Sequence, residues 1–524
     1  CATCHARREL LAAGYQPGAD YADHYATELL SRLTYHADGQ IEDEDFEHGS
    51  FLQSKMYHKG IRCTDCHDPH SAKPKHEGNK LCTSCHQHPA GKYDSPLHHH
   101  HQEGGQGASC VACHMPTTTY MDVHVRHDHS LRVPRPDLSV ALSTPNACTA
   151  CHLDQKKLKE AVKTADPDAK TDHLKQYLNF LQAARTGNAT IKAELSRLDQ
   201  WSAEATKKWY GEKPEQKQEP RHFAFALSAA RNGDVKANEL LADVVLNRTW
   251  PAIVRATALT EWQQYGSPEM LAASITSLQD PNPLVRAAAA GNLMFAPPEE
   301  RIAALVPLLK DPDFIVRRVA ARTLVDVARA MTPHDRGELN AVLIAWTDGL
   351  LANNDRGGVY LAIGSLQQQR NGPTAGEAMY REAIRVEPNL VGARANLAAA
   401  LEAKLEDPQL PGEQRSRLQQ EIAGLRAAEF ELIARDARLA PENASVQYRY
   451  GLALYLRGEM PAALAAIEKA VTLSPRVTEF RLSYALLLQK DQRVAEAIEQ
   501  VETILRQTPD DAEVRQLLRE LREQ

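Results

Sequence analysis

No apolar run in these 524 residues reaches the length and purity of a membrane-spanning helix. Charge of one sign is not in large excess either: the formal net charge is −7 and the pI is near 6.4, so no basic balance points to nucleic acid. Cysteine is absent after residue 151 and never occurs outside one recurring pattern. That leaves no thiol for a structural disulfide or for a nucleophile elsewhere. Histidine thins out as abruptly: nineteen of twenty-two lie at or before His152, and only His173, His222 and His334 follow. The chain is too long for one ordinary core, and about two to four domains are expected.

The ten cysteines form five Cys-x-x-Cys-His motifs. They are Cys1-Ala-Thr-Cys4-His5, Cys63-Thr-Asp-Cys66-His67, Cys82-Thr-Ser-Cys85-His86, Cys110-Val-Ala-Cys113-His114 and Cys148-Thr-Ala-Cys151-His152. This is the attachment spacing of c-type haem. Two thiols add to the two vinyl groups of one porphyrin, and the adjoining imidazole reaches the iron. Zinc knuckles do not need a histidine after each second cysteine. A disulfide framework has no use for it, and a thioredoxin-like motif would not recur five times. The sequence therefore predicts five covalently bound haem c groups, with His5, His67, His86, His114 and His152 as proximal ligands. Haem attachment normally follows export, so a periplasmic or extracellular location is expected. A chain opening on a haem cysteine, without a signal peptide, is expected to continue upstream, where further motifs would add haems.

Composition divides the chain into residues 1–155, the haem region; 156–220, a charged helical connector; 221–345, HEAT-like repeats; and 346–524, tetratricopeptide repeats. The first region is rich in Gly, Pro and Asp and poor in periodic segments, as expected where porphyrins supply the apolar core. In the third, Arg255, Arg286 and Arg317 recur every 31 residues in related contexts, two of them introduced by Asp280-Pro281 or Asp311-Pro312. Leu305, Val306, Leu308 and Leu309 are expected to pack neighbouring helix pairs. In the fourth, Pro441, Pro475 and Pro509 are 34 apart. Gly451, Leu454, Ala463, Ile467 and Ala470 fill the small and large positions of a tetratricopeptide repeat, Tyr484, Ala485, Leu488 and Ala497 repeat them, and Gly364 and Ala383 mark an earlier copy. An insertion is expected at residues 405–424. The fold class is mainly α: an irregular haem domain, then an α-solenoid. Such a solenoid either offers a concave face to another protein or braces the haem domain.

Fourteen histidines before residue 153 lie outside the motifs, enough for bis-histidine ligation throughout; Met56, Met115 and Met121 are further axial candidates. Arg62, Arg126, Arg132 and Arg135 are candidates to pair with propionates. The stretch from His114-Met-Pro116 through Asp128-His129-Ser130 to Asn146-Ala-Cys148 is similar to the C-terminal haem pair of the pentahaem nitrite reductases and octahaem hydroxylamine oxidoreductases. The whole chain resembles bacterial multihaem cytochromes with tetratricopeptide repeats, through Tyr35-His36-Ala-Asp-Gly39, Gly49-Ser-Phe-Leu-Gln-Ser, His67-Asp-Pro-His70 and Arg132-Val-Pro-Arg-Pro136. The resemblance implies His36, His58, His70, His100 and His129 as distal ligands. His70 is expected to serve a neighbouring haem. His24, His48, His76 and His88 stand in reserve, and His124 and His127 compete with His129.

It further implies an electron-transfer protein relaying electrons between extracytoplasmic redox partners, or a subunit of a redox complex or polymer. The alternative is a multihaem oxidoreductase acting on a small nitrogen or sulfur oxyanion. All five motifs end in histidine, where the related nitrite reductases carry lysine in one, which weighs against catalysis and leaves no catalytic residue to name. Neither a nucleic-acid partner nor a membrane span is expected.

Overall fold

The computed structural model describes residues 1–524 except 44–45, 87–90, 121–123, 155–172, 186, 212–221, 235, 476, 508–511 and 524. The architecture is mainly helical, and the helices lie overwhelmingly after residue 172. Before that point the regular structure is short: small helices of a turn or two and two antiparallel two-stranded sheets. One pairs Arg8–Leu10 with Tyr25–Thr27, and the other pairs Thr117–Tyr120 with His124–His127. Part of the expected connector, residues 155–172 and 212–220, lies outside the described residues, as do His88, Met121 and Pro509.

The middle of the chain is a stack of helix pairs. Helices Ala252–Trp262, Pro283–Asn292 and Phe314–Leu324 carry the 31-residue pattern and pack side by side. Proline at the first turn of Pro283–Asn292 removes an N–H that would have no partner there, and Asn282 accepts from the Leu284 N–H. Two of the repeating arginines are buried cross-links. Arg255 donates to Asp280 at 2.5 and 3.3 Å, and Arg286 donates to Asp311 at 2.8 and 2.9 Å, so each arginine reaches the acidic residue heading the next repeat. The third has no such acid ahead of it. Arg317 instead donates to the Asp311 and Pro312 carbonyls and, at 3.4 Å, to Asp23 of the first region.

The first region joins this stack through a continuous core. Leu11, Leu30, Tyr35, Ile41, Leu52 and Tyr120 are buried in the same apolar cluster as Trp262, Val316, Leu343 and Trp346. Polar contacts fix the join: Asp23 also accepts from the Phe314 N–H at 2.8 Å, Thr257 accepts from the Leu30 N–H at 3.0 Å, and Arg231 donates to the Leu30 and Tyr35 carbonyls. Leu305, Leu308 and Leu309 are buried as expected from the repeat pattern.

Apart from Leu366, which joins the shared core, the last region has its own cores. Its helix pairs are Gly357–Asn371 with Glu377–Val386, Ala393–Leu405 with Gly412–Leu439, Ala444–Leu456 with Met460–Leu473, and Thr478–Lys490 with Val494–Gln507, closed by Ala512–Glu523. The small positions do what the repeat requires: a Cβ on Gly451 would stand 2.4 Å from Ile467 Cγ1, so only glycine admits this helix approach. The expected insertion takes the form of a short loop followed by the opening turns of the 28-residue helix Gly412–Leu439.

Candidate functional site

The attachment motifs share one local geometry. In three of them the histidine N–H donates back to the first cysteine's carbonyl: His5 to Cys1 at 2.8 Å, His67 to Cys63 at 2.9 Å and His86 to Cys82 at 3.0 Å. The fourth and fifth lie in helices Cys110–His114 and Ala147–His152. One helical turn thus brings both thiols and the following imidazole to one locality, the donor set a porphyrin with two vinyl groups and one axial position requires. None of the ten cysteines is in a disulfide, and all are exposed or half-exposed. Cys82 and Cys110 touch by a thiol hydrogen bond that pulls Cys82 down to about 7 and pushes Cys110 up, so the third and fourth motifs are neighbours.

The imidazoles are oriented from behind. His67 Nδ1 is 2.9 Å from the Ala72 carbonyl oxygen, and His114 Nδ1 is 2.7 Å from that of Arg132. His5 Nδ1 is 3.0 Å from Glu47 Oε2. Because these oxygens only accept, Nδ1 is the donating nitrogen in each contact, which leaves Nε2 as the nitrogen available to a metal.

Among the expected distal ligands, His129 lies with its ring centre 6.3 Å from that of His67. His36 is buried, its Nδ1 3.4 Å from Glu42, and its Nε2 has no hydrogen-bond partner. Burial foremost, then Arg185, Arg132 and Arg231, holds it well below the ordinary histidine value and therefore neutral. His48 is likewise lowered to about 4, first by burial, with Nδ1 unpartnered. His58 packs edge-on to Tyr57, and His70 donates its backbone N–H to Asp68. His100 stacks on Trp209 at 4.4 Å, and its neighbours in the run turn elsewhere: His98 lies 6.3 Å from His114 and His101 6.0 Å from His152. Of the arginines, Arg135 is bidentate to Asp137, Arg132 is held by Asp38, Asp128 and Ser130, and Arg126 covers the Phe46 and Tyr120 rings.

The helix Ala189–Tyr210 adds residues that motif reading does not find. Trp201 lies 4.9 Å from His152, Trp209 holds His100, and the Tyr210 hydroxyl donates to the His98 carbonyl at 2.5 Å. Three aromatics at 201, 209 and 210, in an otherwise charged stretch, were the available signal. Upstream on the same helix, Asp199 accepts from Asn146 at 2.9 Å and from Thr149 at 2.6 Å, fixing the last motif.

Comparison with known proteins finds the HEAT repeat family at residues 226–325 and the tetratricopeptide repeat family at residues 454–521. No curated protein matches the chain. Among solved structures it is similar, at 13% identity, to one titled "Crystal structure of APC/C hetero-tetramer Cut9-Hcn1", over 74% of this chain and 68% of that one. The TM-score of 0.27 is too low to carry an argument.

These findings correct the expected membership. The matched families are helical repeats, not multihaem cytochromes, and among the described residues no group of three or more His, Cys, Asp or Glu side chains is arranged to hold a metal ion. Electron relay between redox partners, and small-oxyanion reduction as its alternative, give way to a repeat scaffold: the family matches are HEAT and tetratricopeptide repeats, and neither match speaks for haem, iron or a cytochrome. Tetratricopeptide repeats are as a class surfaces for protein partners. Among the described residues no helix is long and apolar enough to cross a membrane.

Proposed function

We propose that this chain is a scaffold of two parts, one turned inward and one outward. The HEAT repeats hold the first region in place, and the tetratricopeptide repeats dock a protein partner or a neighbouring subunit. The observation that carries this is the division of the cores: the first region shares one apolar core with residues 223–366, while the repeats beyond have separate cores. Between helices Ala444–Leu456 and Thr478–Lys490 a cavity of about 470 Å³ is lined by Leu452, Tyr455, Leu486 and Leu487. Leu486 is 45% exposed there, and Leu456 nearby is 78% exposed. Changing Leu486 to aspartate is expected to leave the melting temperature within about a degree, because exposed substitutions cost little. Purification of the full chain from its source, beside this variant, tests the docking. A partner lost only with the variant supports the reading, and equal recovery of every partner defeats it.

We propose further that the first region carries haem c at its five motifs. In each attachment a cysteine S–H adds across a vinyl double bond, forming one C–S and one C–H bond, with no net oxidation. When bound, each haem supplies a redox-active iron. The thiol pairs Cys1/Cys4, Cys63/Cys66, Cys82/Cys85, Cys110/Cys113 and Cys148/Cys151 would hold the porphyrins. The haem reading entails a periplasmic or extracellular location. Haem that survives denaturing electrophoresis at five per chain, and at four in the Cys110→Ala/Cys113→Ala variant, is the expected result; an unstained chain overturns it.

A further inference from the structure

We propose that His129, His98 and His101 are the distal axial ligands opposite His67, His114 and His152. The inference rests on the haem reading above and deepens it. Three motif histidines each lie beside one histidine from outside the motifs, with ring centres 6.3, 6.3 and 6.0 Å apart and ring planes at 31°, 3° and 37°. One iron between two imidazoles requires such a spacing: iron–nitrogen bonds of about 2 Å, and roughly 1.1 Å from each nitrogen to its ring centre, put the centres about 6.2 Å apart.

A second, independent observation concerns which nitrogen is available. In four of these six rings Nδ1 is hydrogen-bonded to a backbone carbonyl: His67 to Ala72, His114 to Arg132, His129 to His127 at 2.8 Å and His101 to His99 at 2.5 Å. A carbonyl cannot donate, so Nδ1 carries the proton and Nε2 is left as the ligating atom. A backbone carbonyl thus holds Nδ1 on both sides of the His67–His129 pair.

The backbone explains why His98 and His101, rather than His100, take this role. Helix Pro96–His99 ends at His100, whose φ of 54° is left-handed and sends its ring onto Trp209. His98 remains on the helix facing His114, and the reversed chain carries His101 to His152. Gly107 makes room for it: a Cβ there would stand 2.3 Å from His101 Cδ2.

The test uses the full haem-loaded chain, oxidised, with low-temperature electron paramagnetic resonance and the pyridine haemochrome count read together. Each of His129→Ala, His98→Ala and His101→Ala is expected to convert one haem from low spin to high spin while the count stays at that of the parent. Added imidazole should restore the low-spin signal, which separates loss of a ligand from general damage. His100→Ala is expected to leave the spin state unchanged. Loss of low spin in His100→Ala, with none in His98→Ala and His101→Ala, overturns the assignment in that run. An unchanged low-spin content in His129→Ala overturns the His67 pair. A parent chain with no covalent haem overturns the haem reading itself, and this inference with it.

Discussion

Asp280→Ala is expected to destabilise the chain by about 3–5 kcal/mol, because it strands a buried guanidinium. The Arg255 side chain is only 7% exposed and Asp280 only 4%, and the two meet at 2.5 Å. Asp280 also accepts from the Asn282 N–H at 2.9 Å, so the same change loosens the entry to the next helix. The net value of such a pair is small, since desolvation of both ions offsets most of their attraction, and the penalty comes from breaking it one-sidedly. The double variant Arg255→Met/Asp280→Ala is accordingly expected to recover much of the loss. Urea denaturation of parent, single and double variants decides the matter. A double variant no more stable than Asp280→Ala would show that the charge of Arg255 is not the cause.

The same pair sets an acid limit. Burial raises the Asp280 carboxyl, but the Arg255 hydrogen bond, the Asn282 N–H and the arginine charges outweigh it and hold it below the ordinary aspartate value. The unfolded chain therefore takes up this proton first as pH falls. The contribution is fully present above about pH 4, the unfolded aspartate range, and is lost as pH falls through the depressed folded value. Stability curves of Asp280→Asn and the parent should converge at the acid end and diverge above it. Parallel curves would remove Asp280 from the acid response.

The repeats were legible because their physics is periodic. An arginine every 31 residues and a small residue at each close helix crossing repeat in the chain as they repeat in space, so the spacing alone places Gly451, Ala463 and Ile467. The five Cys-x-x-Cys-His motifs could be read as a spacing because their residues lie within one turn of backbone. Which side chains lie against the motif histidines was not legible. His98, His99, His100 and His101 are equivalent as letters, and only the left-handed turn at His100 separates the ring that stacks on Trp209 from those that face His114 and His152. Nor could spacing show that Asp23 would supply the carboxylate that the third repeat arginine lacks, since the two lie 294 residues apart. The resemblance to cytochromes was carried by short motifs in the first region, whereas the family matches fall entirely in the repeats.

Whether the repeats brace the first region or merely follow it is tested at Gly349. This residue lies near the end of helix Pro333–Leu350, against the backbone of the first region. A Cβ there would stand 1.9 Å from the Leu11 carbonyl oxygen, 2.8 Å from its carbon and 3.1 Å from Ala12 Cα. These are backbone atoms on both sides, so no side-chain rotation relieves the clash, and the joint must open. Glycine within a helix ordinarily costs about 0.5–1 kcal/mol relative to alanine, so Gly→Ala should stabilise where space allows. Gly337, on the same helix with nothing within 4 Å of a Cβ, supplies that comparison. Gly337→Ala is expected to gain about 0.5–1 kcal/mol. Gly349→Ala is expected to lose about 1–3 kcal/mol, and Gly349→Val more, as overpacked cores do. Because Leu11 is fully buried in the cluster with Leu343 and Trp346, the loss should be local. Amide exchange at residues 8–12 and 339–350 should rise in Gly349→Val, while residues 444–507, in a separate core, keep their protection. Uniformly faster exchange along the whole chain would mean that the two cores are not independent, and unchanged exchange at residues 8–12 would mean that the HEAT stack does not hold the first region at this point.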